Sequence, residues 1–256
     1  MNRIQQLFKK PGGKLIPYVT AGYPLLNLTT KLVLAMEKGG ADMIELGLPF
    51  SDPLADGPVI QASSQVALKN GVNTQWVLKQ VEIIRKSSQI PIALMGYINP
   101  VLKYGYNKFF SDCRQVGVDG IIVPDLPIEE AKDFVLLSKS KNISPILLVA
   151  PNTPNDRIRT ISQMAGDLVY CVAILGVTGE KLSKEATLVK YLSRVRENSN
   201  TPFIVGFGIK THQDVERINR LSDGAVVGTA FVEKLRDSNH PVKTILEYVK
   251  ELKGVK

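Results

Sequence analysis

Along the whole chain, short continuous apolar runs alternate with segments of helical hydropathy period, and that order admits few folds. The runs span residues 14–20, 41–47, 91–96, 118–123, 144–149, 167–173, 202–206 and 224–227. A strand exposed on one face alternates apolar and polar residues, whereas a parallel strand covered on both faces does not. Between the runs, Leu28, Leu32 and Ala35 recur at helical spacing and stop at Gly39-Gly40. Thr74 reads as an N-cap ahead of Val77, Val81 and Ile84. Pro127 reads as a first-turn proline, with Glu129 and Glu130 suited to the positive end of a helix. Thr153-Pro154 repeats the cap-plus-proline signal, Thr211 opens a helix carrying Val215 and Ile218, and Pro241 opens the last, with Val242, Ile245, Val249 and Leu252 on one stripe. Eight strand–helix units predict a closed parallel (β/α)8 barrel of the TIM type. A short extra N-terminal helix (Ile4, Leu7 and Phe8 on one face, ended by Pro11-Gly12-Gly13) and extra helices near the second and eighth strands complete the expectation. An open doubly wound sheet would place a GxGxxG turn after its first strand, where this chain has Thr20-Ala21-Gly22-Tyr23-Pro24. With no linker or low-complexity segment, residues 1–256 are expected to form one domain.

Composition excludes several classes. A length of 256 residues is that of one α/β barrel, and 44% hydrophobic with 22% charged residues is ordinary for a globular protein. The net charge of +8 is spread along the chain and interleaved with acids, and no recognition-helix or aromatic-basic module accompanies it. Attraction for small anions is therefore expected rather than nucleic-acid binding. Cys113 and Cys171 lie in apolar segments without a CxxC or histidine neighbour, which fits buried thiols and a reducing, cytoplasmic compartment. The N-terminus lacks the apolar core of a signal peptide and no apolar run approaches a membrane span. His212 and His240 have no carboxylates at ligand spacing, so no metal site is expected.

Active sites of such barrels lie at the C-terminal ends of the strands. Glu45 sits between Ile44 and Leu46, so alternation turns it inward when they turn outward. An inward carboxyl is costly without a task or partner, and burial raises its pKa toward the range of a general acid–base. The alternative is an ion pair, for which Lys14, at the far end of the first strand, is the one clear inward base. The loop 49–58 holds Pro49, Pro53, Pro58, Asp52 and Asp56; the two acids read equally as turn formers and as catalytic groups. The seventh and eighth strands end in Gly206-Phe207-Gly208-Ile209 and Val227-Gly228-Thr229-Ala230, where bare main-chain amides and a helix start suit a phosphate. Tight turns without a ligand are the alternative. The segment 175–184, including Thr178, reads as a lid or as a plain surface loop. Tyr18 and Tyr170 read, on the residues alone, as core filling rather than pocket walls.

At these positions the chain resembles the tryptophan synthase alpha subunit family. The resemblance spans nearly all of it, through LIPYVTAGYP (15–24), IELGLPFSDPLADGPVIQ (44–61), GVDGIIVPDLP (117–127), LVAPNTP (148–154), GVTG (176–179), VGFGI (205–209) and VVGTA (226–230). It implies a lyase that reversibly cleaves indole-3-glycerol phosphate to indole and glyceraldehyde 3-phosphate in tryptophan biosynthesis. It implies catalytic roles for Glu45 and Asp56, and substrate contacts at Tyr18, Tyr170, Thr178 and Phe207. Phosphate contacts fall on Gly179, Gly208, Gly228 and Thr229, the last standing where relatives usually carry Ser and keeping its hydroxyl. The resemblance further implies no cofactor in this chain and a beta-subunit partner holding pyridoxal phosphate, joined in an alpha2-beta2 heterotetramer through a surface that includes Pro49, Asp52 and Asn99. A cytoplasmic enzyme is expected, or one of an organelle stroma if the gene is plastid-encoded. The nearest alternative is a stand-alone lyase that releases free indole. Another phosphate-binding barrel would need a different acid–base set, and a purely activating subunit would not need all of these residues.

Overall fold

The computed structural model describes residues 1–173, 181–206 and 208–255, with the backbone alone for 181–184. Its elements are α1 (Arg3–Phe8), β1 (Lys14–Thr20), a 3-10 turn (Leu26–Leu28), α2 (Thr29–Gly39), β2 (Ile44–Gly47), α3 (Pro58–Lys69), α4 (Thr74–Arg85), β3 (Ile92–Met95), α5 (Ile98–Tyr104), α6 (Tyr106–Val116), β4 (Gly120–Ile122), α7 (Lys132–Ser140), β5 (Ser144–Val149), α8 (Asn155–Ala165), β6 (Val169–Val172), α9 (Lys181–Asn198), β7 (Phe203–Gly206), α10 (His212–Leu221), β8 (Gly224–Val227), α11 (Thr229–Arg236) and α12 (Pro241–Lys253). The strands close in sequence order, all parallel, with β1 pairing both β2 and β8. This is the TIM barrel with its extra N-terminal helix and paired helices after β2 and β8. A further pair after β3, α5 and α6, has no counterpart in the sequence reading. Within α5 only Val101 is buried, so no apolar period announces it.

Alternation sorts the strand side chains into two cores. Outward residues such as Ile44, Leu46, Ile92, Leu94 and Val205 join the helices in one large cluster. Inward residues Ile16, Met43, Ala93, Ile122, Ile146, Leu168, Ile204 and Val226 fill the lower barrel and meet Ile4 of α1, which plugs that end. Leu7 and Phe8 pack against the same cluster, as the amphipathic reading expects. Cys113 and Cys171 are buried and free. No helix among the described residues is long and apolar enough to cross a membrane.

Three strand starts share a device, an aspartate carboxylate that accepts a strand N–H. Asp42, Asp119 and Asp223 each accept, on a carboxylate oxygen, an N–H near the start of a neighbouring strand, at Leu15 (2.8 Å), Ile92 (3.0 Å) and Phe203 (2.9 Å). A side chain thus stands where a ladder bond would continue. Asp119 also pairs with Arg85 (2.8 Å) and Arg3 (3.0 Å) and is itself buried. Replacing Asp119 by Ala leaves the largely buried Arg85 guanidinium without its carboxylate and the Ile92 N–H without its acceptor. The expected loss is about 3–5 kcal/mol, read as a lower urea midpoint at unchanged slope.

Three helix starts differ from the sequence expectation. Asn73, not Thr74, caps α4, its side chain accepting from Trp76 N–H at 2.9 Å. Pro127 starts no helix: Glu130 N–H and Ala131 N–H bond back to Pro127 and Ile128 in successive turns, and α7 begins at Lys132. Pro154 is itself the N-cap position of α8, and Thr153 instead accepts from Ala150 N–H. Thr211 and Pro241 begin their helices as expected.

Candidate active site

A cavity of about 620 Å³ opens at the C-terminal ends of the strands, within the size range of small-molecule sites. It is walled by Tyr18, Glu45, Asp56, Tyr170, Gly208, Gly228 and Thr229, with apolar floor and sides from Met95, Ile122, Leu148, Val226 and Ile60. Inward alternation on the strands delivers Tyr18, Glu45, Met95, Leu148 and Tyr170 one level above the lower core, whereas Asp56, Ile60, Gly208, Gly228 and Thr229 come from the loops and helix starts that follow the strands. Tyr18 and Tyr170 are therefore pocket walls and not only core filling. Each ring lies over a glycine: a Cβ at Gly47 would fall 2.3 Å from the Tyr18 hydroxyl, and one at Gly206 would fall 2.0 Å from that of Tyr170. Larger residues at those strand ends would push the rings into the cavity. The Tyr18 hydroxyl is held by Thr20 Oγ1 (3.1 Å), which meets Ser63 Oγ at 2.7 Å.

Glu45 is 1% exposed, and its Oε2 has no hydrogen-bond partner. Among the described residues it has no ion-pair partner either. Lys14 is spent at the other end of the barrel, where its Nζ donates to the carbonyls of Lys10, Pro11 and Gly12. Burial, and then the charge of Asp56, push the Glu45 carboxyl up to about 8. The protonated form is thus favoured at neutral pH. Asp56 sits in the β2–α3 loop, fixed by a hydrogen bond from Tyr97 Oη to its Oδ2 (3.1 Å), while Tyr97 Oη accepts from Ala55 N–H (2.9 Å). Burial raises Asp56 and the Tyr97 bond opposes the rise, so two carboxyls of one cavity have unlike environments. Tyr97 was missed in the sequence. It stands just after β3, and reading that strand end like the others would have found it.

The glycine-bearing rim differs between its two strands. At α10, Thr211 and Asp214 satisfy each other's backbone in a capping box, so that helix start is closed on itself. At α11, no side chain caps the start at Gly228. Gly208 is left-handed (φ 46°) and nothing lies near the position of a Cβ. Gly208 and the uncapped start of α11, with Thr229 as its first helical residue, both border the cavity. Thr178, Gly179 and Phe207 lie outside the described residues, and the expected lid segment is already helical from Lys181. Pro49 and Asn99 line a separate surface hollow of about 500 Å³ beside Phe50 and Tyr104. Asp52 is exposed and accepts from the Ser51 hydroxyl. Among the described residues no group of His, Cys, Asp and Glu is arranged for a metal.

Barrel and cavity together define a class: (β/α)8 enzymes that carry out acid–base chemistry on a small molecule at the strand ends. The tryptophan synthase alpha chain family model matches residues 4–255. Tryptophan synthase alpha chains of Petrotoga mobilis (42% identical, 99% of each chain) and Caldanaerobacter subterraneus subsp. tengcongensis (44%, all of each chain) are similar along their length. Among solved structures, the tryptophan synthase alpha subunit of Legionella pneumophila superposes with a TM-score of 0.92 at 33% identity, over 99% of this chain and 98% of that one. A chain of the tryptophan synthase complex of Pyrococcus furiosus does so with a TM-score of 0.87 at 35% identity, over 95% and 99%. This chain belongs to the tryptophan synthase alpha chain family. It is a lyase of tryptophan biosynthesis, and its reaction is the alpha reaction, the cleavage of indole-3-glycerol phosphate.

Proposed function

We propose that Glu45 and Asp56 carry out this cleavage in the cavity described, with the substrate phosphate on the Gly208, Gly228 and Thr229 rim, joined by Gly179. An aryl carbon–carbon bond breaks only when the ring can take up the electron pair. The Glu45 carboxylic acid gives its proton to C3 of the indole, and Asp56 accepts a hydrogen bond from the ring N–H, offsetting positive charge as it develops. The C3–glycerol bond then breaks, and the adjacent substrate hydroxyl loses its proton to the Glu45 carboxylate as the aldehyde forms. Glu45 ends as it began, and indole and glyceraldehyde 3-phosphate leave. No step needs a metal or an organic cofactor. Tyr18 and Tyr170 flank the ring, with Phe207 and Thr178 as further contacts, and the distant phosphate fixes the reacting carbon. The observation that carries the reading is a buried carboxyl with a free oxygen, facing the same cavity as an uncapped helix start.

We propose that residues 1–256 form one domain; a family match and a closed barrel that both run nearly end to end support that reading. A beta subunit holding pyridoxal phosphate is the proposed partner, in an alpha2-beta2 assembly, with the protein in the cytoplasm or, for a plastid-encoded gene, the stroma. Pro49, Asp52 and Asn99 are proposed to face that partner. Leu54 (92% exposed) and Leu102 (53%) lie on the loop and helix that carry these residues, and apolar exposure of that kind suits an interface. Indole release from indole-3-glycerol phosphate should rise steeply when the organism's own beta subunit is added. An unchanged rate would favour the stand-alone lyase instead.

A further inference from the structure

Charge is unevenly placed around the cavity. Glu45 and Asp56 supply its carboxyls, and Lys210 is the one cationic residue among the described residues that line it. Lys210 follows Gly208 by two positions, between β7 and α10. We propose that Lys210 is the cation that binds the substrate's phosphate monoester, and that Glu233 is its resting partner, displaced when the anion arrives. This rests on the phosphorylated-substrate reading given above.

The backbone at Lys210 is pinned on both sides. Its N–H donates to Asp214 Oδ2 (3.1 Å) and its carbonyl accepts from Tyr248 Oη (2.8 Å). Movement is thereby left to the side chain, which is 56% exposed and has a long flexible stem. Its Nζ lies 3.3 Å from Glu233 Oε2, and the Glu233 side chain is 34% exposed. A solvent-exposed pair of this kind is weak, so exchanging one anion for another loses little. The alternative anion site is next door. Glu233 belongs to α11, the helix whose uncapped start borders the cavity, and Lys210 lines both that cavity and the outer hollow it shares with Glu233. The electrostatics favour such a group. A phosphate dianion enters a cavity that already holds Asp56, and main-chain amides offer hydrogen bonds but no net charge. A lysine ammonium serves phosphate as a point charge and can approach from the solvent side of the rim.

Calorimetric titration with indole-3-propanol phosphate, a substrate mimic, tests this in the wild-type chain and in Lys210→Met, Lys210→Arg and Glu233→Gln. Lys210→Met should weaken binding about tenfold, Lys210→Arg should largely restore it, and Glu233→Gln should tighten it or leave it unchanged. Raising salt to about 0.5 M should weaken the wild type more than Lys210→Met. If the ion pair only braced the loop, Lys210→Met and Glu233→Gln would lose affinity alike. Wild-type affinity in Lys210→Met, or parallel losses in the two variants, would overturn the proposal. Should the wild type ignore the mimic, the substrate reading fails. The same variants titrated with inorganic phosphate then decide Lys210 separately: equal binding by the wild type and Lys210→Met overturns its role.

Discussion

Glu45→Gln is expected to keep the fold and lose cleavage by roughly 10²–10⁴-fold, the usual range for removing a general acid–base. Glutamine fills the same space but has no proton to give to the ring carbon. Because the lost contact is made in the transition state, kcat should fall while binding of the substrate mimic is retained. The same variant should be more stable than the wild type, and increasingly so as pH rises. The Glu45 carboxyl is lifted from its ordinary 4.5 to about 8 by burial and by Asp56. Between those values the folded chain holds a proton that the unfolded chain releases, so wild-type stability falls as pH climbs through the interval. Glutamine pays no such penalty. The two proteins should unfold at similar urea concentrations near pH 4.5 and differ by on the order of 2–4 kcal/mol at pH 8.5. A stability difference that shrinks with rising pH would mean that Glu45 is stabilised as an anion in the folded state, contrary to its unpaired oxygen.

Asp56→Asn should also be severely impaired, by about 10²-fold or more in kcat, since an amide offers no charge to the developing cation on the indole nitrogen. Its shape and its bond from Tyr97 can persist, so the loss should not be one of folding. The variant carries a second signature. Asp56 is the second cause of the raised Glu45 carboxyl, after burial. Without that charge Glu45 ionises at lower pH. The alkaline limb of the residual kcat profile should therefore move to lower pH than in the wild type. Movement in the opposite direction, or none, would separate the two carboxyls and undo the coupled site.

Much of the barrel could be read from pattern. The bounds of β1, β5 and β8 coincide with their apolar runs. The run at 41–47 overstates β2 by three residues. Asp42, apolar in neither character nor role, bonds Leu15 N–H and pairs with Lys253, far along the chain. Such a contact has no local signal. Helix starts misread at Thr74, Pro127 and Thr153 share a cause, since several neighbouring residues are able to cap or turn and tertiary packing chooses among them. At the site, Glu45 was legible because alternation on a strand has a period of two. The position of Tyr18 and Tyr170 was not legible from the residues alone, and only the family resemblance set them against the substrate. Whether an inward ring fills the core or walls a pocket depends on the level it occupies in the barrel, and that level is set by strand stagger. Lys210 was hidden for another reason: among many lysines on a basic chain, proximity to Gly208 becomes meaningful only when the cavity is closed by α11.

The most direct measurement is a crystal structure of this chain with indole-3-propanol phosphate bound. The phosphate should accept hydrogen bonds from the main-chain amides of Gly208, Gly228 and Thr229, with the indole between Tyr18 and Tyr170, its C3 edge toward Glu45 and its N–H toward Asp56. A phosphate seated elsewhere, or a ring too far from Glu45 to receive its proton, would contradict the account.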